Sequence, residues 1–259
     1  MLLLLIVNYA FGAVIAVPAK TEDFIYISSG TWSLMGMEIP EPLINDATRT
    51  ANFTNEGGAK GTIRFLKNIM GLWIIQESRR QWKREGKDYS YAFMEEEAKK
   101  AAPFRSLINP DDASFNTPGN MPEKIREFCR KTKQPVPETV GEVVRCIYES
   151  LALKYRYTVE GIQALRGKKA TAINVVGGGT KDKFLSQMTA DACNLPVYAG
   201  PEEATAIGNL MMQCMAVGAV SSLAEAREVV SNSFELKFYA PTAERAAWDE
   251  AYGRFCTLQ

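Results

Sequence analysis

The sequence contains no histidine. That excludes imidazole general bases, Ser-His-Asp triads and zinc sites that need a His ligand. Any proton acceptor must be a carboxylate, a Lys, a Tyr or a Cys. The five cysteines, Cys129, Cys146, Cys193, Cys214 and Cys256, include no C-x-x-C pair. An odd number in a chain of this length argues against a secreted disulfide framework and for mostly reduced, buried thiols. Net charge is missing too. Thirty basic and thirty acidic residues cancel without a basic stripe, so nucleic acid is not an expected partner. There is no internal repeat and no low-complexity segment.

Long apolar runs are nearly absent. Residues 2–7 are the most apolar run, inside a stretch, residues 1–19, that carries no charge. This run is short for a membrane span, and Asn8, Tyr9 and Gly12 interrupt it. It lacks the basic flank of a signal peptide. Residues 1–19 read as a buried element, with a signal peptide or anchor as the alternative. A membrane partner is not expected, and the expected compartment is the cytoplasm.

What remains is the composition of an ordinary globular chain of one large domain or two small ones, 46% apolar and 23% charged. Its centre is Ile173-Asn174-Val175-Val176-Gly177-Gly178-Gly179-Thr180. A β-rich apolar run ends in three glycines, and Phe184, Leu185, Met188 and Ala192 then recur at helical spacing. This predicts strand, tight loop and helix. Glycines let a backbone approach a flat or charged ligand, and a helix N-terminus supplies free N–H groups, so the triplet reads either as a ligand-contacting loop or as a plain βα turn. A second backbone-exposing corner, Gly200-Pro201, follows the next short strand.

Earlier in the chain, residues 24–28 and 31–36 predict a hairpin with Ser28-Ser29-Gly30-Thr31 at its tip. Its hydroxyls and N–H groups either face water or contact phosphate. Residues 50–54 read as a third strand. Residues 61–83 read as one helix, with Ile63, Leu66, Ile69, Met70, Trp73 and Ile74 as its apolar stripe. On that helix Asn68 and Gln76 lie beside the stripe, as edge residues or as a ligand-facing side. Residues 89–102 read as a helix with a solvated charged face. Asp111 and Asp112 read as turn caps rather than metal ligands. Asn120 caps a short helix, and Thr139 with Glu142 caps a long one that Gly167 stops. Small residues and methionines fill a helix over 204–220, and two more helices follow. The order predicts an α/β domain, a mixed sheet with helices on its faces, that binds a nucleotide.

Several blocks in order carry a resemblance. They are Ile27-Ser28-Ser29-Gly30-Thr31-Trp32-Ser33-Leu34-Met35-Gly36, Phe53-Thr54-Asn55-Glu56-Gly57-Gly58, Arg64-Phe65-Leu66-Lys67-Asn68-Ile69-Met70-Gly71-Leu72-Trp73, the Asn174 to Gly179 block, and Ala199-Gly200-Pro201-Glu202-Glu203-Ala204. Together they resemble the second domain of the FGGY carbohydrate kinases, the rhamnulokinase subgroup most closely. The match covers residues 13–259 and leaves 1–12 as an apolar N-terminal remnant. It implies an actin-like, ribonuclease H-like domain with a five-stranded mixed sheet flanked by helices. In the family such a domain faces a first domain across a cleft.

The resemblance implies that Thr31 approaches the phosphates of ATP, Gln76 the nucleotide side, Gly178 the adenosine and Asn68 the sugar. It implies ATP with Mg²⁺, L-rhamnulose or a related ketose, and a separate N-terminal kinase domain as partner; no metal ligand is carried over to this chain. It also implies a Cys129–Cys146 bridge, where the residues by themselves read as two reduced thiols on neighbouring helices. The family's catalytic aspartate lies in a His-Asp-Thr stretch, and here the aligned residues are Asn8-Tyr9-Ala10. Tyr9 is a poor base, because a phenol titrates near pH ~10. The expected function is the nucleotide-side half of a sugar kinase, inactive alone; the alternative is a non-catalytic nucleotide-binding or interaction module.

Overall fold

Ala172–Val176 forms a strand buried along nearly its whole length, as the middle of a mostly parallel sheet requires. In the computed structural model, which describes residues 9–19, 21, 23–242 and 245–259, this strand is β5. β1 (Phe24–Ser29) and β2 (Trp32–Ile39) form the expected hairpin, with Ser28 opposite Leu34. β3 (Thr54–Gly57) and β4 (Ile63–Met70) extend it antiparallel, and Leu34 faces Asn68 across the β2–β4 pair. β5 lies parallel to β1, and β6 (Val197–Ala199) parallel to β5. β7 (Lys237–Tyr239) closes the far edge antiparallel. The sheet order is β3-β4-β2-β1-β5-β6-β7. The sheet has seven strands rather than the five the resemblance implies, with β3 and β7 as short edges.

The largest departure from the sequence reading is at residues 61–83. They are not one helix but β4 followed by α3 (Trp73–Arg84). The apolar stripe misleads because β4 is buried on both faces. Phe65 and Leu66, adjacent in sequence, are both fully buried, on opposite sides of the sheet. A doubly covered strand has no clean period of two, and a short apolar run fits either template. Gly71 makes the turn between them, packed so tightly that a Cβ there would lie 2.6 Å from Ser33 Oγ. The third strand begins at Thr54, not Thr50, because α2 (Asp46–Thr50) occupies that stretch, capped by Asn45.

The remaining helices fall near their expected places. α4 (Tyr91–Lys100) starts at the Ser90 cap and α5 (Met121–Lys131) at Asn120. α6 (Val140–Arg166) has the Thr139–Glu142 capping box and ends at Gly167 with φ 64°. α7 (Lys183–Cys193) is capped by Asp182. α3 to α7, with α10 (Arg245–Cys256), cover one face of the sheet around a large apolar core. α1 (Tyr9–Ile15), α8 (Ala204–Ala216) and α9 (Leu223–Ser233) cover part of the other. Here α1 and α8 cross closely: a Cβ on Gly208 would fall within bonding distance of the Gly12 carbonyl.

The division expected between residues 12 and 13 therefore falls inside α1. Ala13, Val14, Ile15, Ala16 and Val17 are each at most 1% exposed. The apolar run at 2–7, with Asn8, lies outside the described residues, as does the side chain of Tyr9. Among the described residues no helix is long and apolar enough to cross a membrane.

The thiols are less uniformly buried than expected. Cys129 and Cys146 are buried, Cys193 and Cys214 half-buried and Cys256 exposed, and all five are free. Cys129 and Cys146 stand side by side on α5 and α6 as hydrogen-bonded thiols rather than the bridge the resemblance implies. Asp112 caps its turn through the Ser114 N–H, whereas Asp111 reaches the Met70 N–H at the end of β4 and pairs with Lys154 at 2.9 Å.

Candidate functional site

The three glycines after β5 do three different jobs. Gly177 has φ 88°, a conformation that side-chain-bearing residues avoid. Gly179 packs on β1 so closely that an added Cβ would sit 2.0 Å from Ser29 Oγ. Gly178 faces open space, with nothing within 4 Å of where a Cβ would project. Its backbone lines a cavity of about 540 Å³ together with Gly179 and Gly30. Asp182 then caps α7 by accepting the Leu185 N–H at 2.8 Å.

The hairpin tip reaches the same place through main-chain bonds. The N–H groups of Leu72 and Trp73, unpaired by α3 itself, donate to the carbonyls of Gly30 and Thr31 at 3.1 and 3.0 Å. This ties the β1–β2 turn to the start of α3. Gln76, one turn into α3, lines the cavity, and the Thr31 hydroxyl donates to its Oε1 at 3.2 Å. The next residue, Glu77, is 2% exposed and holds Arg80, Arg84 and the Gly119 N–H, which fixes the helix in rotation. Gln76 and Gly178, about 100 residues apart in sequence, thus line one cavity, and Thr31 stands beside it through its bond to Gln76.

Asn68 does not join them. It is exposed on β4, on the sheet face that carries Leu66 and Tyr26. With β4 a strand, Asn68 and Gln76 share no helical face. They lie on either side of the sheet's end, with the hairpin tip between.

Most of the remaining cavity wall escaped the sequence reading. α4 contributes Tyr91, Ala92 and Glu95 from a stretch that reads as solvated surface, and α6 contributes Tyr148. Tyr148 donates its hydroxyl to Asp182, and burial pushes the Asp182 pKa up despite that bond and the Leu185 N–H. Burial likewise raises Tyr148. Lys181 sits at the rim and pairs with Glu202 at 3.0 Å. The cap residue directly after the glycine loop, Asp182, was the one readable signal among these. The cavity combines side-chain-free backbone at Gly30, Gly178 and Gly179, apolar surface from Leu72 and Ile75, and the polar side chains of Gln76, Glu95, Lys181 and Asp182, a mixture that suits a small-molecule site.

The profile of the FGGY family of carbohydrate kinases, C-terminal domain, matches residues 25–217. The chain belongs to the FGGY carbohydrate kinases. Within this family it is 51% identical over 243 residues to the rhamnulokinase of Bacteroides thetaiotaomicron, covering 94% of the chain and 49% of that protein. It is 47% identical over 229 residues to the rhamnulokinase of Bacillus subtilis, covering 88% of the chain and 47% of the relative. Among solved structures, xylulose kinase from Lactobacillus acidophilus superposes with a TM-score of 0.72 at 16% identity, over 96% of the chain and 49% of its own. Plasmodium falciparum glycerol kinase with ADP gives 0.63 at 14% identity, over 95% of the chain and 49% of its own. These likenesses establish the actin-like, ribonuclease H-like fold. This FGGY domain spans about half the length of the curated relatives it matches.

Proposed function

We propose that the chain is the nucleotide-side half of a rhamnulokinase-like sugar kinase. The complete enzyme would move the γ-phosphoryl group of ATP onto the primary hydroxyl of L-rhamnulose, or of a related ketose. The observation that carries this reading is that Gln76 and Gly178 line one cavity, with the Thr31 hydroxyl bonded to Gln76 beside it. Gly178 would meet the adenosine, Gln76 the nucleotide side and Thr31 the phosphates, where hydroxyl and main-chain N–H groups suit an anionic ligand. Asn68, exposed on the adjoining sheet face, would hold the sugar. Among the described residues no cluster of three or more acidic, His or Cys side chains gathers as a metal site. Mg²⁺ would therefore ride on the nucleotide phosphates, as it does in many phosphoryl-transfer sites.

Phosphoryl transfer depends on positioning and charge stabilisation from both sides of the transferred group. A separate first domain would supply the other side. Tyr9 stands where the family's aspartate is expected, and loss of a general base costs about 10²–10⁴ in rate. That substitution favours a second reading, a nucleotide-binding module without turnover. Free thiols fit a reducing compartment, and we place the protein in the cytoplasm.

Two measurements test these readings. Calorimetry of the chain with ATP and ADP should show binding; no heat up to millimolar nucleotide would remove both. Sugar-dependent ADP release should be nil for the chain alone and appear when the N-terminal half of the Bacteroides thetaiotaomicron rhamnulokinase is added. ATP binding without turnover in either mixture would leave only the non-catalytic module.

A further inference from the structure

One aromatic ring shares the cavity with the glycine loop. Tyr91 is 50% exposed, yet it lines the same cavity as Gly178 and Gly179. Its backbone is fixed as the first residue of α4, behind the Ser90 cap. Its ring is fixed as well, because the Arg79 guanidinium lies 5.2 Å from the ring centroid. Arg79 is itself pinned, donating from Nε to the Tyr89 carbonyl at 2.6 Å and from Nη2 to Asp88 at 2.9 Å. Arg79 is not part of the cavity wall, so it braces the ring from outside. The cavity wall thus contains both a side-chain-free backbone and an aromatic ring held by a cation.

We propose that Tyr91 stacks on the purine ring of the bound nucleotide, with Arg79 as its positioning residue. The proposal rests on the nucleotide reading above and names the group that holds the base. A flat π-system gains from a second flat face, and a ring already ordered by Arg79 loses little freedom when the base arrives. Stacking reads no base edge, so the contact serves adenine and guanine alike.

The test uses the whole chain, with ATP and GTP titrated by calorimetry and etheno-ATP fluorescence recorded alongside. Tyr91→Ala and Tyr91→Leu should each weaken both nucleotides about tenfold, whereas Tyr91→Phe stays within about twofold of the parent. The parent and Tyr91→Phe should quench etheno-ATP fluorescence on binding, and Tyr91→Leu should not. Arg79→Gln should give a smaller loss of affinity and partial quenching. Thermal melts separate an unfolded variant from a weakened site, and Tyr91→Leu keeps the apolar volume if Tyr91→Ala fails to fold. If the parent binds ATP and Tyr91→Leu binds and quenches like it, the stacking role is wrong while the nucleotide reading survives. If the parent binds no nucleotide, both are wrong.

Discussion

The two faces of the sheet differ in how much of a site each completes. On the α3–α7 face, the hairpin tip, Gln76, Tyr91, Tyr148 and the glycine loop enclose about 540 Å³ within this one chain. On the α1–α8 face, Asn68 lies exposed on β4, opposite half-buried Leu34 and near Trp32, which is 49% exposed. One face is a room and the other a single wall. On the proposed reading, the first face carries its nucleotide contacts within this chain, whereas Asn68 on the second has no comparable cavity around it among the described residues. The proposed nucleotide binding could thus persist without turnover.

The sharpest way to break this comparison is at the glycine loop. Gly179→Ala drives a Cβ into Ser29, so overpacking of about 1–3 kcal/mol should lower Tm by roughly 3–10 °C and spoil nucleotide binding. Differential scanning calorimetry checks it, and an unchanged Tm would mean the loop is not packed as described.

The enclosed face can also be probed through pH, because α6, which supplies Tyr148, carries a buried acid next to it. Burial lifts the Glu149 pKa from 4.5 to about 7 in the fold, against the opposing effect of Arg145 and the Phe104 N–H. The fold therefore favours the protonated acid. That contribution is whole below pH 4.5 and is lost as pH rises through 7. Its size is on the order of 3 kcal/mol. Tm of the parent should fall across this window, and Glu149→Gln should flatten the profile.

Two substitutions separate ligand contact from packing within the cavity. Gly178→Ala has room in the fold, so Tm should hold while ATP affinity drops about tenfold, as a methyl group enters the slot. Gln76→Ala removes one hydrogen-bonding group and leaves Thr31 unanchored, for a loss of about three- to tenfold. Calorimetric titration reads both. A drop in Tm with intact affinity for Gly178→Ala would reverse the assignment of the two glycines.

The smallest effect expected is the most telling. Asn68→Ala should leave ATP affinity within about twofold, since an exposed residue on the opposite face makes no contact with the cavity. A larger change in the same titration would show that the two faces act as one site.

The motifs most readable in the sequence were those whose signal is local. Ser28 to Thr31, Thr139 with Glu142, and the three glycines each occupy a few consecutive residues and were placed correctly. Tyr91 and Tyr148 were not readable, because nothing near either one announces a cavity. Each matters only by facing a loop roughly 90 or 30 residues further along the chain. Asn68 was assigned to a helix and lies on a strand, β4.

By itself the sequence determined that an apolar strand ends in a side-chain-free loop, that a hairpin precedes it, and that no imidazole is available. These follow from residue type and short spacing. Only tertiary structure decided that residues 63–70 form a strand, because coverage on both faces erased the period that would distinguish it. Only tertiary structure, too, brought α4 to the same cavity as the glycine loop. Such a slot forms between distant elements, and its geometry depends on packing that no local pattern encodes.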